Sequence, residues 1–310
     1  MQRHVRGLAQ EAGADAWTYL FTGRRRVPVQ CSEQRFTRQE RVTDRTAGAS
    51  GSKGTSSSPA DSETGRSRPA LVLILWAVTL LALAGLAPVA QASLGVPVEL
   101  LSLVMLAPGL ACAVVLVKPS WMPKPWERER GVSVLLTAVV AVVAVAVFFG
   151  MLALLTGSRP DWPTDIGGAP LAVFLLLQAA GALSEEVGWR GVVQRCGESF
   201  GHPAAVSAIA GFLFGATHLG YWGLGIIPVL TFALTAMLMS LTITTIFTGS
   251  FWQRMIPALI VHLGLNLSIT CLSNNGEPIG TSASALGAAA AMFAAVAVAK
   301  ALLSRRHQSR

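Results

Sequence analysis

Beyond Arg68 the chain is a succession of apolar stretches, parted by short connections that hold most of its prolines and charges. Each stretch is about twenty residues long, enough at about 1.5 Å rise per residue to cross a hydrocarbon core of about 30 Å. None alternates apolar and polar residues as a barrel strand does, and in lipid only helices or closed barrels satisfy every backbone N–H and C=O. The pattern predicts an all-α, polytopic membrane protein with eight transmembrane helices, over 70–90, 98–117, 132–156, 169–191, 203–222, 226–247, 255–272 and 284–304. Composition agrees. The chain is 52% hydrophobic and 13% charged, with a mean hydropathy of +0.55, whereas soluble domains carry about 25% charged residues.

The net charge of +8 sits at the ends of the chain. Residues 1–68 hold 12 Lys/Arg against 7 Asp/Glu, and residues 300–310 hold 4 cations and no acid. The long apolar middle, 69–299, is close to neutral, with 8 cations and 9 acids. Basic ends around an apolar middle are membrane anchors, not a nucleic-acid footprint. The 118–131 loop carries four cations, Arg195 and Arg254 fall in later connections, and the intervening loops are neutral or acidic. By the positive-inside rule the chain is a multi-pass cell-membrane protein with both termini cytoplasmic. Trp121, Trp126 and Trp222 lie near span ends, where interfacial anchors belong.

Residues 1–68 read as a disordered basic cytoplasmic tail. Their segment "TAGASGSKGTSSSPADSETGRSRPA" is too polar to bury a core, and no signal-peptide layout precedes it. Three N-terminal helices fill 69–168, a four-helix core fills 169–272, and a last helix with a basic tail fills 273–310. The four cysteines, Cys31, Cys112, Cys196 and Cys271, have neither disulfide-framework nor metal-cage spacing.

Ionisable side chains inside spans cost a few kcal/mol each and mark function by default. Few exist here: Glu185, Glu186 and Arg190 in the fourth span, His218 in the fifth and His262 in the seventh. Glu185 and His218 are 33 residues apart, and the midpoint falls in "SFGHPAA", where Gly201 and Pro203 mark a helix break. Two helical arms of equal length then bring Glu185 and His218 to one depth, provided the hairpin projects beyond the cytoplasmic surface. Glu186 and Arg190 are spaced i,i+4 and form an ion pair on one face. Glu185 points about 100° away from Glu186, so one acid serves chemistry and the other the pair. His262 and Asn266 are also i,i+4. Two imidazoles and a carboxylate form a zinc set, His218, His262 and Glu185, with an open position for water. Water activated by a metal or a carboxylate is a nucleophile, and the Asn266 amide can donate to an oxyanion. Each residue also has a structural reading: a hydrogen-bonded core histidine, a bracing ion pair, an interhelical amide.

Together the motifs Glu185-Glu186-Val-Gly-Trp-Arg190, Phe214-Gly-Ala-Thr-His218 and His262-Leu-Gly-Leu-Asn266 resemble the CPBP (Abi) family of intramembrane proteases, which includes the type II CaaX prenyl endopeptidases. The resemblance spans residues 169–270 or so. It implies hydrolysis of a peptide bond of a membrane-associated peptide or protein, at a site open to the cytoplasmic leaflet. On this resemblance Glu185 activates the water, His218 and His262 position it or hold zinc, Asn266 stabilises the oxyanion, and Glu186 and Arg190 brace the site. A bacteriocin-type peptide or a lipidated protein terminus are the substrate classes in view. Partners are that substrate and the bilayer, with no nucleic acid. Two other readings stay open: a non-catalytic immunity or scaffold protein of the same fold, and a proton-coupled transporter using the Glu/His cluster as a relay.

Overall fold

The computed structural model describes residues 67–162, 165–273 and 279–308; the tail expected over 1–68 lies almost wholly outside them. Eight helical segments follow one another. Helix α1 is Pro69–Leu94, α2 the short, broken Leu103–Val117, α3 Gly131–Thr156 and α4 Leu171–Gly197. Then come α5, Pro203–Ala216, α6, Ile226–Ile246, α7, Phe251–Leu272, and α8, Ala283–Gln308. A two-stranded hairpin, β1 Asp165–Ile166 and β2 Ala169–Pro170, leads into α4.

The fold is all-α, as expected, and among the described residues six helices, against the eight expected over the chain, are long and apolar enough to cross a membrane. The segments expected as spans 98–117 and 203–222 form the two short helices. In the first, Pro97 and the 3-10 stretch Leu103–Leu106 delay the helix, and Gln91 ties the loop down. Its Nε2 donates to Val96 O (2.7 Å) and Leu101 O (2.9 Å), while its Oε1 accepts from Leu103 N (2.7 Å). The second ends at Ala216, and a glycine-rich 3-10 stretch, Leu219–Leu224, follows. Helix α7 starts four residues before its expected position, because Ser250 and Gln253 form a capping box around its first turn.

Hydrogen bonds sort the connections onto two ends. Arg68 N donates to Trp121 O (2.8 Å), Glu129 N to Gln253 Oε1 (3.0 Å), and Trp126 Nε1 to Glu198 Oε2 (3.1 Å). The start of α1, the 118–130 loop, the α4–α5 turn and the α6–α7 turn therefore share one end. Lys300 Nζ donates to Thr245 O there (2.9 Å). At the opposite end Asp161 N donates to Cys271 O (2.9 Å), and a methyl on Gly167 would stand 3.0 Å from Pro97. Because the α4–α5 turn is bonded to the 118–130 loop, it lies level with that end, and the expected protrusion of the hairpin is not needed. His218 instead follows a helix of only 14 residues.

Small residues let the α5–α6 hairpin close. A methyl at Gly211 would meet Ala236 O at 2.8 Å and Met237 Cα at 2.9 Å, and one at Gly215 would meet Ala233 Cα at 2.5 Å. This Gly-x-x-x-Gly face allows backbone-to-backbone approach, the main source of helix association in lipid. Gly188 meets Pro108 in the same way, at 2.6–2.8 Å for the added methyl. Gly215→Leu should lower the melting temperature in detergent, since no flexible side chain can yield, whereas Gly220→Ala, with open space around it, should leave it unchanged.

Candidate active site

Helix α4 changes character at the acidic pair. Leu171–Glu186 is α-helical, Val187–Gln194 is a π-helix and Arg195–Gly197 is α again. The i→i+5 bonding widens the turn, so side chains four apart stay nearer one line than they do in an α-helix. Glu186, Arg190, Gln194 and Glu198 form such a line. Pro108 backbone pressed on Gly188, and the Phe251 ring against Gly191, accompany the widened segment.

That line builds a buried ionic cluster. Arg190 is fully buried, and its Nε lies 3.2 Å from Glu186 Oε2. The other Glu186 oxygen, Oε1, accepts from His262 Nδ1 at 2.7 Å, and His262 Nε2 lies 3.4 Å from Glu185 Oε2. Glu186 thus pairs with Arg190, and Glu185 meets the other nitrogen of His262. Among the described residues, Nη1 and Nη2 of Arg190 have no hydrogen-bond partner, and its guanidinium lies over the Phe214 ring at 5.9 Å. His262 touches both acids.

Further down the line Gln194 Nε2 donates to Thr244 Oγ1 (3.0 Å) and to Glu198 Oε1 (3.1 Å). Thr244 in turn donates to Ser207 Oγ (2.8 Å). This polar column fastens α4 to α5 and α6.

His218 owes its orientation to a helix end. The last turn of α5 leaves carbonyls without intrahelical donors. Phe214 O accepts from Thr217 Oγ1 (3.0 Å) and from His218 Nδ1 (2.7 Å). A carbonyl only accepts, so Nδ1 carries the proton and Nε2 keeps its lone pair. Phe232 and Tyr221 hold the imidazole from two sides, at ring-centroid distances of 4.8 and 6.1 Å.

Glu185, His218, His262 and Asn266 line one cavity of about 340 Å³. Glu186 and Arg190 do not line it; they stand behind His262. Both imidazoles rest on the Phe214 ring, with centroids 4.7 and 5.7 Å away. The expected zinc set is not gathered: among the described residues, no three His, Cys, Asp or Glu side chains form a group that could hold a metal ion. His262 reaches Glu185, whereas His218 is held on the α5 side by its carbonyl and aromatic neighbours.

The cavity wall also contains Ser102, Gln178, Tyr221 and Thr270, which sequence reasoning did not single out. Gln178 donates to Leu100 O (3.1 Å), joining α4 to the loop before α2. Its one signal was a lone amide in "LAVFLLLQAAGAL"; Ser102 belongs to the α1–α2 loop and Tyr221 to the 3-10 stretch after α5, and neither had one.

Residues 167–268 match the family model described as type II CAAX prenyl endopeptidase Rce1-like. Comparison with curated proteins produced no match. The matched segment runs from the β-hairpin turn to α7 and contains all three motifs; Ser102, Thr270 and the α2 wall lie outside it.

Breaking the ion pair should be costly. Arg190→Met leaves Glu186 buried with one partner fewer and should destabilise by about 3–5 kcal/mol. Adding Glu186→Gln should recover part of the loss. A double-mutant cycle on detergent melting temperatures checks both.

Proposed function

We propose, for a chain that carries a type II CAAX prenyl endopeptidase Rce1-like domain over residues 167–268, that it hydrolyses a peptide bond of a membrane-associated peptide or protein. The single observation that supports this best is the common cavity. A carboxylate, a bare imidazole nitrogen, a second imidazole and a carboxamide converge on it, braced from behind by the Glu186–Arg190 pair.

In this reading Glu185 accepts a proton from a water in the cavity as the hydroxyl oxygen bonds to the scissile carbonyl carbon. His218, with Nδ1 bonded to the Phe214 carbonyl, offers Nε2 as an acceptor that orients the water. Asn266, one turn beyond His262 on α7, donates its amide N–H to the oxyanion. Glu185 then returns the proton to the departing amine, the C–N bond breaks, and a carboxylic acid and an amine result. His262 shares a proton with Glu185 and Glu186 and keeps the cluster neutral when Glu185 is charged. No step is routed through zinc, because the three donors are not grouped for it.

Scaffolding alone gives no reason to line a cavity with these groups. Glu185→Gln should lower turnover by at least about a hundredfold without moving the melting temperature. The readout is uncut membrane peptide accumulating in a Glu185→Gln strain, by mass spectrometry of membranes. No accumulated peptide relative to wild type would count against proteolysis. Asn266→Ala should cost about 10²–10³ in rate by the same measure.

Metal content tests the route. Plasma mass spectrometry of purified protein should give no stoichiometric zinc. Zinc near one per chain, lost in a folded His218→Ala/His262→Ala variant, would replace the glutamate-only route with a metal-bound water.

A further inference from the structure

We propose, resting on the protease reading, that Ser102 and Thr270 line a neutral peptide-binding subsite beyond the Glu185–His262 contact. This subsite selects substrates whose chain beside the scissile bond is extended and uncharged.

Helix geometry sets the distance. Helix α4 starts, and α7 ends, at the end of the bundle where Asp161 N donates to Cys271 O, so the two helices run antiparallel past Glu185 and His262. Gln178 precedes Glu185 by seven residues, about 10 Å of helix, and Thr270 follows His262 by eight, about 12 Å. Both line the cavity. Its wall therefore continues about 10 Å past the catalytic groups, with one polar side chain from each helix at that level.

Ser102 is brought to the same level and held there by two amides. Gln178 Nε2 donates to Leu100 O (3.1 Å). Gln91 Nε2 donates to Leu101 O (2.9 Å), and its Oε1 accepts from Leu103 N (2.7 Å). The carbonyl before Ser102 and the N–H after it are thus fixed by one side chain. Ser102 is the N-cap of the 3-10 stretch Leu103–Leu106, where a hydroxyl commonly accepts from the first turn. Here it makes no capping bond and lines the cavity. A loop anchored on both sides of that hydroxyl presents it to a ligand. On α7, Thr270 Oγ1 donates to Asn266 O (2.9 Å) and keeps its lone pairs as acceptors.

The chemistry of this wall defines what it takes. A peptide bond open to hydrolysis lies outside helix, and its neighbouring N–H and C=O groups need partners where water is scarce. Hydroxyls and a carboxamide both donate and accept, so Ser102, Gln178 and Thr270 can serve either group. Apart from Glu185, His218 and His262, the described lining contains no Asp, Glu, Lys, Arg or His. A charged substrate side chain at this level would be buried unpaired. Ser102 and Thr270 also fall outside residues 167–268, the segment that matches the family model, whereas all three motifs fall inside it. Reaction and preference are thus carried by different parts of the chain.

Charge swapping tests the subsite. The probe is the membrane peptide that accumulates in the Glu185→Gln strain, synthesised with Asn, Asp or Lys at each position flanking the cut and offered to purified protein in detergent. Wild type should cut the Asn series. It should lose at least about tenfold in kcat/KM with Asp or with Lys, at positions on one side of the cut. Ser102→Asp should recover the Lys peptides and still reject the Asp peptides; Ser102→Lys should do the opposite. Thr270→Asp, on a different element, should share the preference of Ser102→Asp and guards against one variant failing to fold. Uniform loss across all peptides in both the Ser102 and Thr270 variants would overturn the subsite and leave the protease reading standing. So would a wild type that cuts the Asp and Lys series as well as the Asn series. No accumulating peptide in the Glu185→Gln strain would sink both.

Discussion

Two carboxylates, a guanidinium and an imidazole sit in contact at the middle of this bundle, where water is scarce and each charge is expensive. Glu186 is held on both sides, ion-paired with Arg190 within α4 and hydrogen-bonded to His262 on α7. Arg190 lies over Phe214 of α5. One cluster therefore fixes the relative positions of three helices, and the cavity exists because those helices are held at these spacings. Glu185 is the member of the cluster that also lines the cavity beside Asn266. The other groups keep it in place.

Close packing supplies the second constraint. Gly211 and Gly215 bring α5 onto α6, and Gly188 brings the π segment of α4 onto α2. A chain of edge-to-face rings runs through the same region, from Trp76 to Trp189 to Phe214, with centroids 5.2 and 5.6 Å apart. The α2 segment, which lies outside the matched family domain, thereby becomes part of the site. Met105 faces Gly181, and Ser184 Oγ donates to Leu106 O (2.9 Å).

Much of this was legible in the sequence because lipid leaves a chain few choices. Apolar length revealed the six long helices, and i,i+4 spacing revealed the Glu186–Arg190 pair and the His262–Asn266 face. The break at Gly201–Pro203 was legible as turn chemistry. Hydropathy failed where an apolar run does not stay helical. Residues 98–117 and 203–222 are greasy enough to span, yet Gln91, Pro97 and the glycines after Ala216 divert the backbone. Counting apolar residues cannot register a side-chain amide that replaces helix hydrogen bonds. The setting of the two histidines is likewise not written in the composition. Residue types do not reveal that His218 spends Nδ1 on the end of its own helix, beside a ring that also carries His262. The π segment leaves no mark in hydropathy either, since it changes the turn and not the composition.

Helix α5 has 14 residues, about 21 Å at α-helical rise, against a hydrocarbon core of about 30 Å. The bilayer beside its end cannot be filled by helix. It is filled by the exposed apolar segment after Ala216, by water descending toward His218, or by lipid that thins to meet it. Each carries a cost that varies with membrane thickness. The acyl-chain length of the surrounding membrane then becomes a variable of the cavity itself, setting how deep His218 and Glu185 lie beneath the bilayer surface.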